Sequence, residues 1–419
     1  MRLSLLVAVL FSIALGVPPP ALAWGAAGHR IINNVAARSL PASVPAFVRS
    51  PATIAEIATL GPEADRLKGA GKTWDGDLDP GHYLDLDDDG TIAGVLPLAQ
   101  LPPTREAYDT AIRKGRVVNG EAPDEYSIGY VPYSIVEGWQ QVAKDFAIWR
   151  VDAYGETHAA TDAARAFFGT DRKLREVLTL RDIGYFGHFV ADSSQPLHVT
   201  VHFNGWGQYP NPQNHTQSNK IHAKFETGFV ETHATADTVL ARIGPYVPST
   251  VPIMTRVETY LAATNSNVAA VYTFEDAGAF DAGTPDAVNF MLDRLAAGGK
   301  MLRDLIVDAY AASADEKVGY PGITVRDVES GAVIPTPKSA NGGCPPSLFP
   351  VRLLGGARLQ FRDDARIGER RRVAENPAFG DIAQEPAHDL AAARLRQLLR
   401  ERQIFRMDEL SELFRDVRA

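Results

Sequence analysis

Cysteine is almost missing from this 419-residue chain: Cys344 stands alone, which excludes any intrachain disulfide. Excess positive charge is missing too. Lysine and arginine total 42 against 51 aspartates and glutamates, a net charge of −9. That balance argues against a protein that holds nucleic acid on a basic surface, and no stable nucleic-acid complex is expected. It leaves room for an enzyme whose local positive charge comes from metal ions. Strand-like alternation is scarce. Beyond the first two dozen residues no stretch reaches about 18 uninterrupted apolar residues, so no membrane-spanning helix is expected there. What remains is 45% hydrophobic and 22% charged, ample material for a globular core.

The N-terminus reads as an export signal. Arg2 gives a short basic start, Leu3 to Val17 is an apolar run, Pro18 to Pro20 break it, and Ala21-Leu22-Ala23 is an A-x-A cleavage site. Residues 1–23 are therefore expected to be removed, leaving Trp24 first in a secreted or periplasmic protein. Export without disulfides calls for a large core or bound metal.

From Trp24 to Ala314 the signals are helical. Ala27 to Leu40 stops before Pro41, and Val136 to Val151 sets Trp139, Val142, Phe146 and Trp149 at three- and four-residue steps, an apolar stripe. Leu174 to Asp192, His222 to Thr235 and Asp286 to Ala314 read the same way, the last with Thr284-Pro285 as its cap and first turn. Residues 315–350, rich in proline, glycine and small polar residues from Tyr320 on, read as a linker. Residues 351–419 read as an arginine-rich helical appendage, with Asp389 to Arg402 and Asp408 to Arg418 as amphipathic helices.

Ten histidines are present, and their company is uneven. His188 and Asp192 stand four apart in an expected helix, one turn from each other on one face. His222 and Glu226 repeat the spacing, and His198 lies between the pairs in Gln195-Pro196-Leu197-His198. A helical His-x3-carboxylate pair presents two ligands to one metal. Two such pairs within forty residues point to a metal site. Trp24, freed by signal cleavage, would offer an α-amine and its own carbonyl as a chelate, with His29 five residues on. Asp65 and His82 are further candidates.

In this order, Trp24-Gly25-x-x-Gly28-His29, Ala64-Asp65-Arg66, His82-Tyr83, His188-x3-Asp192, Gln195-Pro196-Leu197-His198 and His222-x3-Glu226, the sequence resembles the S1/P1 nuclease and zinc-dependent phospholipase C superfamily. The likeness spans Trp24 to Ala314. It implies an all-α, multi-helix bundle of the phospholipase C/P1 nuclease type over 24–314, here followed by the small helical appendage, and three zinc ions. Carried over, one ion falls to Asp65, His82, His188 and Asp192, and its neighbour to Trp24, His29 and the shared Asp192. The third falls to His198, His222 and Glu226. The implied activity is hydrolysis of phosphate esters by metal-activated water, with Asp65 also orienting that water. His158, His202, His215, His233 and His388 are left for ordinary roles.

Departures bear on the substrate. Glu226 and its flanks look phospholipase-like, whereas the short gap from Trp24 to His29 and the long one from His198 to His222 look nuclease-like. Asn204-Gly205-Trp206-Gly207 replaces the nuclease branch's Gly-Gly-Asn loop. Between His82 and His188 lies more chain than either branch needs, so 89–170 is expected to add helices or a lid. Phe203, Trp206 and Tyr209 are candidates for stacking on a base or lining an acyl-chain pocket, with packing of a surface loop as the equal alternative. Spacing favours the nuclease branch, a resemblance that implies action on single-stranded DNA, RNA and 3′-nucleotides, and a monomer is expected. A phospholipase C acting on phosphatidylcholine-like lipids is the alternative, and an inactive zinc-stabilised binding protein a third. Asp85-Leu86-Asp87-Asp88-Asp89-Gly90 opens like a calcium-binding loop, but Leu96 stands where a glutamate is needed, so a polar turn is expected.

Overall fold

The computed structural model describes residues 24–340 apart from 69, 71, 72, 74, 75 and 77. Expectations for the signal peptide and for 351–419 lie outside the described residues. The architecture is all-α. The longer helices are α1 (Ala26–Arg38), α2 (Pro51–Leu60), α3 (Arg105–Ile112), α4 (Val131–His158), α5 (Asp162–Asp192), α6 (Ile253–Asn265), α7 (Val268–Asp276) and α8 (Pro285–Ala312). Two antiparallel hairpins supply the strands, Thr91–Ile92 with Leu96–Pro97 and Lys317–Val318 with Ile323–Thr324.

The helix hairpin α4–α5 is the spine, and α1, α2 and α8 pack against it. The stripe expected on α4 is there: Val142 and Phe146 are fully buried, while Trp149 stacks near Phe47 and donates its indole N–H to Glu176. Thr161 caps α5 by accepting from the Ala164 N–H, which starts this helix twelve residues before the expected Leu174. Pro285 opens α8 as expected, but the Thr284 side chain makes no capping bond.

Small residues decide how near α1 and α2 come to α5. A Cβ on Gly187 would lie 2.2 Å from the Asn33 side-chain oxygen, and one on Gly61 would lie 2.7 Å from the His29 carbonyl. Asn33 is itself pinned, donating from Nδ2 to the carbonyls of Ile57 and Gly184 at 3.0 Å each. One buried amide thus ties three helices together at the level of the site.

The stretch expected as a linker packs on the body as far as Ala340. Val318, Val325 and Val328 join Ala147, Val151 and Phe168 in a second apolar cluster under the α4–α5 hairpin. Its prolines and glycines mark turns between short elements, and valines three and seven residues apart supply the buried contacts.

Candidate metal centre

Trp24 sits at the base of the site, fully buried, with its indole N–H donating to Ser194 Oγ at 2.8 Å and its ring 5.4 Å from Phe225. Ser194 lies two residues beyond Asp192, so this bond docks Trp24 against the end of α5. One helical turn into α1, the His29 ring stacks on His188 at 3.8 Å and 9°.

Around that stack the first cluster closes. His29 Nε2 is 3.3 Å from Asp192 Oδ1, while Asp192 Oδ2 is 3.0 Å from His82 Nδ1 and 3.4 Å from His188 Nε2. The two oxygens of Asp192 therefore face different partners. Asp65, from the 3₁₀ turn Glu63–Leu67, brings Oδ1 to 3.5 Å from His188 Nε2 and Oδ2 to 4.0 Å from His29 Nε2. A second cluster lies beside it: His222 Nε2 is 2.8 Å and His198 Nε2 3.7 Å from Glu226 Oε2. His222 and Glu226 ride on the helical stretch after Lys220, which runs Ile221–Ala223, then a π-helical turn Lys224–Phe229, then Val230–His233. π turns often accompany functional sites.

Three groups among the described residues have ligand atoms close enough to hold a metal ion: His29, His188 and Asp192; Asp65, His82 and His188; and His198, His222 and Glu226. The last is the third ligand set expected from the sequence. In the first two His188 is shared.

Backbone carbonyls fix the ring tautomers. His188 Nδ1 faces Gly61 O at 2.8 Å, His198 Nδ1 faces His82 O at 2.9 Å, and His222 Nδ1 faces Phe203 O at 2.7 Å. A carbonyl can only accept, so each Nδ1 carries the proton and each Nε2 lone pair is turned into the site, an orientation typical of metal-binding histidines. His198 and His222 thereby bring two Nε2 atoms within 3.1 Å of each other. A cation shared by the two lone pairs would accommodate that approach. Buried Asp192 Oδ1 and Glu226 Oε1 have no hydrogen-bond partner, which fits the same requirement.

The electrostatics pull both ways: burial would lower His188, but the Asp192 and Asp65 carboxylates outweigh it and raise it. Burial drives the Asp192 carboxyl well above its ordinary range, with Asp65 adding to it and His188 opposing. Burial would raise Asp65 as well, but the His188 hydrogen bond and the nearby cations outweigh it and hold Asp65 far below. Burial also pulls His82 and His198 down, towards the neutral form that ligates metal.

A cleft of about 640 Å³ opens beside His198 and His222. Its lining includes Lys68, Tyr83, Asp85, Val118, Asn119 and Ser127 from one stretch of the chain and Val201, Phe203, Asn204 and Tyr209 from a later one. Phe203 and Tyr209 thus line it as expected. Trp206 does not: it is only 7% exposed, stacks on His202 and gives its indole N–H to Pro210, so it is the core of its own loop. His202 and His215 hold that loop through Asp88 and Asp276. Lys68 escaped the sequence reading. Its Nζ is 3.6 Å from Asp65 Oδ1, and the i,i+3 spacing from Asp65 was the available signal. Asp85 is pushed up to about 8, by burial first and by the neighbouring Asp87 second.

The acidic run expected as a polar turn makes protein contacts. Asp87 accepts from the Gly94 N–H and from Arg116, Asp88 contacts His202, and Asp89 accepts from the Thr91 N–H and hydroxyl. Compared with known proteins, the chain matches no family model, no curated protein and no solved structure.

Proposed function

We propose that the chain is an exported, zinc-dependent phosphoesterase of the S1/P1 nuclease and phospholipase C type, acting on single-stranded nucleic acid and 3′-nucleotides. The observation that carries this reading is the set of buried histidines whose protons are spent on carbonyls, so that their lone pairs converge with Asp65, Asp192 and Glu226 beside an open cleft. An all nitrogen-and-oxygen donor set of three or four groups per ion suits zinc. His29, Asp65, His82, His188 and Asp192, with the Trp24 amine, would hold two ions, and His198, His222 and Glu226 the third. Zinc bound there would acidify water and offset negative charge at the phosphate.

The chain's own groups do the rest. Asp65 would orient the attacking water, with the Lys68 ammonium 3.6 Å from its Oδ1. Lys68, facing the cleft, would draw in the phosphate as a point charge. Tyr83, Phe203 and Tyr209 would offer aromatic faces to bases, a contact that tolerates any sequence.

A phospholipid substrate is the second reading, favoured by one observation. Leu67, Leu78, Val117 and Tyr126 are exposed, and each adjoins a residue lining the cleft, an apolar rim that suits a lipid surface. The test is release of p-nitrophenol from bis-p-nitrophenyl phosphate with and without chelator, beside single-stranded DNA, RNA and phosphatidylcholine vesicles. Chelator-sensitive cleavage of nucleic acid is expected. Hydrolysis of phosphatidylcholine alone favours the second reading, and loss of all ester cleavage leaves a zinc-stabilised binding protein.

A further inference from the structure

Arg116 ties together two segments that line the cleft. It follows α3 and immediately precedes Val117, Val118 and Asn119, of which the last two line the cleft. Its guanidinium donates to the Tyr209 hydroxyl at 3.3 Å, lies 5.4 Å from the centre of the Tyr209 ring, and pairs with Asp87. Tyr209 is itself a lining residue, distant in sequence from Val118.

Both ends of this bar are anchored. The Arg116 N–H donates to Ala93 O at 2.7 Å, and a Cβ on Gly115 would lie 2.4 Å from that same oxygen, so the chain is pressed against the first hairpin. Val118 and Glu121 exchange backbone hydrogen bonds of 3.0 Å around Asn119 (φ 51°) and Gly120 (φ 87°), closing a tight turn. At the other end the Tyr209 ring meets His202 edge-on at 5.0 Å, and His202 is bonded to Asp88 at 2.8 Å.

We infer that Arg116 determines the size of substrate the cleft accepts. By tying the Val118–Asn119 turn to Tyr209, it holds two lining segments together and keeps the cleft a compartment for the unit next to the reacting phosphate. The volume of about 640 Å³ lies within the roughly 300–1,000 Å³ of small-molecule sites. This rests on the nuclease reading and adds to it a preference for short substrates and strand ends. Arg116 touches no metal ligand and lies outside the cleft lining, so it acts on access.

The test uses the full mature protein and its Arg116→Ala and Arg116→Lys variants, with kcat/KM measured on bis-p-nitrophenyl phosphate, a dinucleotide and a long single strand. In Arg116→Ala the long-to-short ratio should rise about fivefold, the size of one partly exposed charged contact. The rate on bis-p-nitrophenyl phosphate should stay put. Arg116→Lys keeps a cation for Asp87 but cannot span to Tyr209. It should show the same direction, and it serves as the variant of record if the alanine protein does not fold. An unchanged ratio in an active, folded variant, or an equal change on all three substrates, overturns the bar while leaving the nuclease reading standing. A wild-type enzyme that cleaves no nucleic acid overturns both.

Discussion

The carbonyl of Gly61 accepts the Nδ1 proton of His188 at 2.8 Å, at the same residue whose Cα is pressed against the His29 carbonyl. A methyl group at Gly61 would meet backbone that cannot step aside. Gly61→Ala is therefore expected to cost about 1–3 kcal/mol of stability and to displace two candidate ligands together. Denaturant unfolding and zinc content measured on the same sample check this. Normal zinc content would show that the contact does not position the site.

Asp192 offers one oxygen to His29 and the other to His82 and His188. Asp192→Asn keeps the shape and removes the charge. Zinc content and phosphodiesterase rate should both fall further than in Glu226→Asp, which only shortens one arm. Near-wild-type values for Asp192→Asn would show that this carboxylate does not serve two ions.

The helices and the ligand set were legible because both follow spacing. Period-3.6 stripes gave α4 and α8, and two four-residue pairs gave His188, Asp192, His222 and Glu226. Lys68, Asn119 and Arg116 were hidden, since their place at the cleft depends on turns and on packing between distant segments. Trp206 misled for the opposite reason: an aromatic close after His198 looks like a contact, yet its indole is needed to fill the loop between His202 and His215. The valines beyond Tyr320 were masked by surrounding prolines and glycines.

Asp152 is fully buried on α4, and neither carboxylate oxygen has a hydrogen-bond partner. Burial, reinforced by Asp171 and opposed by Arg175 and Arg172, pushes it up to about 8. In the folded protein it keeps its proton, whereas unfolded it would lose it near pH 4. Its contribution is thus complete in acid, is lost progressively as pH rises, and is fully lost above about pH 8. Stability should decline across that window with a slope of at most about 1.4 kcal/mol per pH unit. Urea unfolding should show a shallower slope for Asp152→Asn than for wild type. Equal slopes would place the titration elsewhere.

If the Trp24 amine is a zinc ligand, one extra residue before it should abolish most activity. That nitrogen would then be an amide, with its lone pair drawn into the preceding carbonyl. The comparison is a removable tag that leaves Trp24 first after cleavage, assayed for rate and zinc before and after. The indole bond to Ser194 is not chemically altered by the tag, so the melting temperature of the zinc-free protein should change little. Equal rates in both forms would remove Trp24 from the site.

Stripping zinc should lower the melting temperature sharply, since His82, His188, Asp192, His198 and Glu226 are buried and would be left facing one another without compensating charge. Calorimetry with and without chelator measures this, and a shift of only a degree or two would argue that no ion is structural.

The π-helical turn Lys224–Phe229 accommodates one residue more than an ordinary helix would, and it contains both the candidate ligand Glu226 and the buried Phe229. The turn takes up that extra residue, so deleting one residue after Glu226 and winding the segment as a regular helix would leave Phe229 and Val230 on the face they now bury. Deleting it while the wide turn persists would rotate everything beyond by about 100° and carry Phe229 off Phe280. Length and winding are therefore tied in this segment: one can change only together with the other.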